Sequence, residues 1–230
     1  MTPPQWKRFL AEGAGTALLV GIGTGAIVLA ARVGGVPQWE LAVAWFGAVF
    51  VPIVLFVSVS GAHLNPAVTL ALAVSGRIGW GEVPEYVLGQ FSGAFVGSAF
   101  IGVTCGTAAH LGATLLTTSV PEGFLAEASF TALLVTAVFA LADHGEGRFR
   151  WRLLLPPVAV GISTFFIGPL TGSSLNPART LAPAVLSGSY AGLWVYLLAV
   201  PVAAVLVALV WRPRSVDLSD RGPGRIDVAR

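Results

Sequence analysis

Two Asn-Pro-Ala tripeptides stand far apart in the chain, at Asn65-Pro66-Ala67 and Asn176-Pro177-Ala178, and the second runs directly into Arg179. An asparagine amide both donates and accepts hydrogen bonds, while a guanidinium offers five donors and never gives up its charge. Such groups can stand in for the water around a small polar molecule. Bond breaking asks for other residues. The chain has one cysteine, three scattered histidines and no nucleophile paired with a base, so it reads as no enzyme, with no metal site and no cofactor.

Each tripeptide opens a short apolar run. The first reaches Val74 before Ser75-Gly76, and the second reaches Leu186 before Ser187-Gly188. Asn favours the N-cap, Pro the first helical position and Gly the residue past the end, so the punctuation predicts helices over 66–75 and 177–187. About ten residues at 1.5 Å each give roughly 15 Å, half the thickness of a bilayer's hydrocarbon core. Neither helix can span alone. Entering from opposite faces, the two would meet N-terminus to N-terminus, each end carrying roughly +0.5 of an elementary charge that repels a cation. The approach segments Gly61-Ala62-His63-Leu64 and Gly172-Ser173-Ser174-Leu175 cannot be helical throughout. Carbonyls of Gly61, Ala62, His63, Gly172, Ser174 and Leu175 are then free to accept from a molecule passing between the helices.

Composition supplies the setting. Of 230 residues 55% are hydrophobic and 10% charged, with formal net charge +2, and the mean hydropathy is +0.82. A soluble domain carries about 25% charge, so this chain belongs in a bilayer. The basic residues are spread between apolar runs and form no nucleic-acid patch. Six stretches are long and apolar enough to span, near 9–31, 41–60, 84–109, 124–143, 152–169 and 191–211. The fold class is therefore an all-α membrane protein, with six transmembrane helices and two re-entrant half-helices.

The chain repeats itself. Phe9-Leu-Ala-Glu12 through Val20 aligns with Phe124-Leu-Ala-Glu127 through Val135 at an offset of 115, nine of twelve residues identical. The two Asn-Pro-Ala segments align at an offset of 111. Residues 1–115 and 116–211 are thus two copies of one unit, and residues 212–230 form a polar tail expected to be disordered. Three spans per unit is an odd number, so the second copy sits inverted relative to the first.

Basic residues choose the orientation. With both termini in the cytoplasm, Lys7, Arg8, Arg77, Arg148, Arg150, Arg152, Arg212, Arg214, Arg221, Arg225 and Arg230 all lie inside, which leaves Arg32 outside and Arg179 within its motif. Trp6, Trp39, Trp80, Tyr86, Trp151, Tyr190 and Trp211 fall near span ends, where amphipathic rings favour the membrane interface. Trp45 lies deeper.

Taken together, the doubled Asn-Pro-Ala box, the second followed by Arg179, the paired Glu12/Thr16 and Glu127/Thr131 starts and the Ser60–Thr69 stretch resemble the aquaporin or major intrinsic protein family over residues 7 to 211. The resemblance implies a passive channel that conducts water and small uncharged solutes such as glycerol, urea or metalloid hydroxides while excluding ions and protons. It also implies a homotetramer in the cell membrane. A four-residue constriction is implied at Trp45, Thr164, Ser173 and Arg179, with Phe46 replacing Trp45 if one residue is inserted. Water-specific members place His where Thr164 stands, so the opening should be wider here; Thr180, where glycerol facilitators have Asp, points the other way. Glu12 and Glu127 would accept hydrogen bonds from the loops that carry the half-helices, and His63 would position its own loop. Intramembrane acids equally suggest a proton relay.

Three other functions remain open: a strictly water-selective channel, a coupled transporter and a non-conducting structural protein. A transporter needs a titratable group at the midplane, where only amides and backbone stand. Gly89, Gly93 and Gly97, like Gly21 and Gly25, are spaced for close helix contact within or between protomers. Cys105 reads as a small packing residue and His144 as exposed loop.

Overall fold

The computed structural model describes residues 4–142 and 149–211. The expectations for His144 and Arg148, for the Arg150 side chain and for the 212–230 tail lie outside the described residues. Six long helices cross the molecule: α1 (Gln5–Arg32), α2 (Gln38–Ser60), α4 (Val83–Cys105), α5 (Val120–Ala142), α6 (Leu155–Thr171) and α8 (Leu193–Val210). Between them lie the short α3 (Pro66–Val74) and α7 (Pro177–Ser187). Six crossings put the two described chain ends on one face, called here the terminal face.

Five of the long helices hold 18-residue windows apolar enough to span, with mean hydropathies from 1.4 to 2.6. Helix α6 has 17 residues, about 25 Å. Pro156 and Pro157 occupy its first turn and Gly172, left-handed at φ +77°, caps its end, so proline and glycine set both limits. The span expected over 84–109 stops earlier, at Cys105. Gly106 turns the chain at φ +80°, and Ala109, His110, Leu111 and Gly112 follow with φ of +48° to +70°, a left-handed turn that no right-handed helix can absorb. Helix α5 starts where Ser119 and Glu122 cap each other reciprocally.

The two short helices begin as their punctuation demands. Asn65 Oδ1 accepts from Ala67 N at 2.9 Å, and Asn176 Oδ1 accepts from Ala178 N at 3.0 Å and Arg179 N at 3.3 Å. Nine and eleven residues give them about 13 and 16 Å, too short to cross.

Packing exchanges these pieces between the repeats. Val68, Ala71 and Leu72 of α3 are buried with Leu134, Val135 and Phe139 of α5 and Val200 and Ala204 of α8. Ala178 and Ala182 of α7 are buried with Leu19 and Val20 of α1, Trp45 and Ile53 of α2 and Ala94 of α4. Each half-helix fills the core of the other repeat, so neither repeat completes its own. Helices α1 and α4 meet almost backbone to backbone: a Cβ on Gly93 would lie 2.0 Å from the Gly13 carbonyl, and one on Gly97 2.5 Å from that of Ala17. The glycine spacing on α4 therefore serves contact within the chain.

Outward faces carry Leu10, Val54, Leu88, Phe100, Phe166, Leu198 and Leu206, each at least 49% exposed, which is the surface a lipid-embedded bundle presents. Trp6, Trp39, Trp80, Trp151, Tyr190 and Trp211 are exposed near helix ends. Tyr86 corrects the interfacial expectation, being fully buried. Its hydroxyl is held by a backbone carbonyl at 2.7 Å, a partner that keeps a buried phenol satisfied away from the interface. Cys105 is half-buried at the end of α4, where its carbonyl accepts from Arg32 Nη1 at 3.0 Å.

Candidate functional site

Two irregular loops lead into the half-helices with one backbone plan. Gly61 (φ +86°), Ala62 (+51°) and Leu64 (+56°) are matched by Gly172 (+77°), Ser173 (+50°) and Leu175 (+50°). An L-residue in this region costs about 1–2 kcal/mol. Four such residues persist because the surroundings fix them.

Two carboxylates on the first helix of each repeat do the fixing. Glu12 accepts from His63 N at 3.0 Å, Leu64 N at 2.7 Å and Ser60 Oγ at 2.6 Å. Glu127 accepts from Ser174 N at 2.8 Å, Leu175 N at 3.0 Å and Thr171 Oγ1 at 2.6 Å. Both acids are fully buried, so every loop N–H they satisfy is one that water cannot reach. The Ser60 and Thr171 hydroxyls also accept from Ala62 N and Ser173 N, each at 3.1 Å. Tyr86 and Tyr196 complete the frame by donating to the Ser60 and Thr171 carbonyls, both at 2.7 Å.

The tips then lock across the midplane. Asn65 Nδ2 donates to the Leu175 carbonyl at 2.7 Å, and Asn176 Nδ2 donates to the Leu64 carbonyl at 2.8 Å. Each amide has two N–H donors, so one remains. The Leu175 carbonyl, read from the sequence as free, already has this partner. Carbonyls of Ala62, His63, Ser173 and Ser174 accept nothing among the described residues.

Beside this junction lies a cavity of about 60 Å³, room for about four waters. Both asparagines line it, as do Gly61, Ala62, His63, Ser173, Ser174 and Leu175 from the loops, Trp45, Val160 and Arg179. Thus the structure brings together most of the residues selected from the sequence, but not all. Gly172 stays out, its carbonyl 3.4 Å from Arg179 Nη2. Thr164 is buried one turn beyond Val160 and does not line the cavity; its carbonyl accepts from Gln38 Nε2 at 2.6 Å. Pro66, Ala67, Pro177 and Ala178 form the first turns of the half-helices, with both alanines in the core. Of the two aromatic alternatives, Trp45 reaches the cavity, and Phe46 stacks on Phe50 at 5.7 Å.

Arg179 is 1% exposed. Its Nη1 donates to the Gly112 carbonyl at 2.9 Å, supplied by the left-handed turn after α4, and its Cζ sits 4.5 Å from the centre of the Trp45 ring. The guanidinium is thereby held between the Gly112 carbonyl and the indole, while its Nε has no hydrogen-bond partner among the described residues. His63 Nδ1 lies 3.2 Å from Thr69 Oγ1, and its ring stacks on Tyr86 at 4.2 Å. Ser174 Oγ and Thr180 Oγ1 make the equivalent pair at 2.5 Å.

Sequence reasoning missed Gln90, whose Nε2 donates to Glu12 at 2.7 Å and to Thr69 at 2.9 Å, and Tyr196. Tyr86 and Tyr196 occupy matching places in the two repeats, a signal that a finer alignment of the repeats contains. Gly112 left no signal, because nothing local announces a left-handed turn that faces an arginine of the other repeat.

Comparison with known proteins adds independent findings. The model of the family described as Major intrinsic protein matches residues 1–211. Aquaporin NIP1-2 of Oryza sativa subsp. japonica is 37% identical over 222 residues, covering 92% of this chain and 72% of that protein. Aquaporin NIP1-1 of Zea mays is 34% identical over 88% of this chain and 72% of its own length. The glycerol uptake facilitator protein of Pseudomonas aeruginosa is 34% identical over 81% of this chain and 76% of that one. Among solved structures, the aquaglyceroporin from Plasmodium falciparum superposes with a TM-score of 0.79 at 26% identity, covering 92% of this chain and 97% of that one.

Proposed function

The chain belongs to the major intrinsic protein family, and from that premise we propose how its path selects what it passes. It is a multi-pass membrane protein and a passive channel for water and small solutes such as glycerol. In this reading the permeant leaves bulk water at Arg179, moves along the loop carbonyls and turns past the free N–H groups of Asn65 and Asn176. Unpaired polar groups cost on the order of 2–7 kcal/mol when stripped of water, so the lining must supply both donors and acceptors. The crossed Asn–Leu hydrogen bonds carry the argument, because they bring two half-helix N-termini to one cavity.

Ions and protons are excluded by the same parts. Two helix ends of roughly +0.5 charge each and one buried guanidinium oppose a cation or hydronium, the selectivity logic general to aquaporin-type pores. The solutes are extended to urea and metalloid hydroxides, all small, uncharged and rich in donors and acceptors. Trp45, Thr164, Ser173 and Arg179 form the constriction, Thr164 one helical turn beyond the cavity-lining Val160. Glu12 and Glu127 are scaffold acids. Three hydrogen bonds from loop and cap residues to each support this over a proton relay.

The terminal face, with Lys7, Arg8, Arg77 and Arg152, is cytoplasmic. The protein works in the cell membrane as a homotetramer. Stopped-flow light scattering of proteoliposomes against sucrose, glycerol, urea and arsenous acid tests the reading. Water and glycerol should move faster than through protein-free vesicles, without dependence on proton or sodium gradients. Flux at the protein-free level would overturn it. Trp45→Ala with Arg179→Val should raise solute and cation leak about tenfold or more, and unchanged leak would remove these two residues from the constriction.

A further inference from the structure

Behind the cavity wall, on α6, stands a hydroxyl that takes no part in the site described above. Ser163 is fully buried, lies outside the cavity and makes one hydrogen bond among the described residues: its Oγ is 2.7 Å from Oγ of Ser173, which does line the cavity. A serine inside a helix usually turns its hydroxyl back to a carbonyl of the preceding turn or out to solvent. Thr24 does the former, donating to Val20 O at 2.7 Å. Ser163, in the middle of its helix, instead pairs sideways with the loop that follows that helix, where the backbone is left-handed.

From this we infer that Ser163 is a positioning residue that sets solute specificity by holding the Ser173 hydroxyl. The inference rests on the channel reading above. The opposite members of the constriction offer the permeant either donors only, at Arg179, or an apolar face, at Trp45. A solute that carries its own O–H or N–H groups needs an acceptor at the same level. A paired hydroxyl supplies it: when Ser163 donates, the Ser173 proton is left for the permeant, and when Ser163 accepts, the Ser173 oxygen keeps its lone pairs for the permeant. The wall can thus match an oxygen or a polar hydrogen without moving a heavy atom. Polyols and urea, which carry several donors and acceptors on one carbon frame, gain most. Water gains least, because a single molecule reorients freely.

The test is a double-mutant cycle in proteoliposomes with matched protein content, reading the glycerol-to-water and urea-to-water permeability ratios of wild type, Ser163→Ala, Ser163→Cys, Ser173→Ala and the Ser163→Ala/Ser173→Ala double variant. Loss of one buried hydroxyl partner should lower both ratios about three- to tenfold in Ser163→Ala. Ser163→Cys, which restores the volume but not a strong hydroxyl, should match Ser163→Ala, and a wild-type-like ratio there would assign the effect to packing and overturn the inference. Against Ser173→Ala the Ser163 substitution should change the ratios less than twofold. An equal effect in that background, or none in either, overturns it. A wild type that passes water but neither glycerol nor urea also overturns it and leaves the channel standing, whereas a wild type that passes nothing refutes the channel reading itself.

Discussion

At the first loop Glu12 receives four neutral donors, the fourth being Gln90 Nε2. At the second loop Glu127 receives three, and the position matching Gln90 falls near Val200, which donates nothing. Arg179, whose counterpart in the first half is Val68, donates instead to the Gly112 carbonyl at 2.9 Å. One scaffold has thus been finished in two ways, with an amide as fourth donor on one side of the midplane and with three donors among the described residues on the other. The lesson is that Arg179, the proposed constriction arginine, is also part of the fold. It donates to the Gly112 carbonyl of the other repeat and lies 4.5 Å over the Trp45 ring.

Several substitutions would sharpen or break that contrast. The largest effect belongs to the acids. Glu12→Gln should cost about 3 kcal/mol, because it disturbs four hydrogen bonds. Glu127→Gln should cost about 2 kcal/mol, because it disturbs three. Denaturant unfolding in detergent micelles reads both, and an equal or reversed order would break the contrast. Next come the tips. Asn65→Ala and Asn176→Ala each remove one helix cap and one cross-loop bond, about 2 kcal/mol together, and should agree with each other because the tips are symmetric. A large difference between them would mean that the symmetry is only geometric. Smallest are Tyr86→Phe and Tyr196→Phe, about 1 kcal/mol each by the same measurement, again equal.

Much of the architecture is legible in the residue order. Asn, Pro and Gly punctuate both half-helices unambiguously, because local backbone preferences alone fix such ends, and the nine-in-twelve identity around Glu12 and Glu127 announces the repeat. What the sequence does not supply is tertiary. The swap of half-helices between repeats depends on the complementary burial of α3 and α7, which leaves no trace in their own patterns. Tyr86 looks interfacial because its ring chemistry suits a membrane boundary, and only the Ser60 carbonyl explains its burial. The family resemblance counts Thr164 into the constriction, whereas the cavity is lined one turn earlier by Val160, which shares its helix face and differs in depth. The turn that offers the Gly112 carbonyl needs three consecutive non-glycine residues in left-handed backbone, a conformation that propensity argues against.

All of this presumes that solvent runs through the gap between Asn65 and Asn176. Filling that gap is the most direct test. Val160→Trp places an indole against a cavity of about 60 Å³ without touching either loop's hydrogen bonds. In proteoliposomes with protein content and unfolding midpoint matched to wild type, osmotic water flux should fall to the level of protein-free vesicles. Swelling that continues at the wild-type rate would place the path elsewhere and contradict the account.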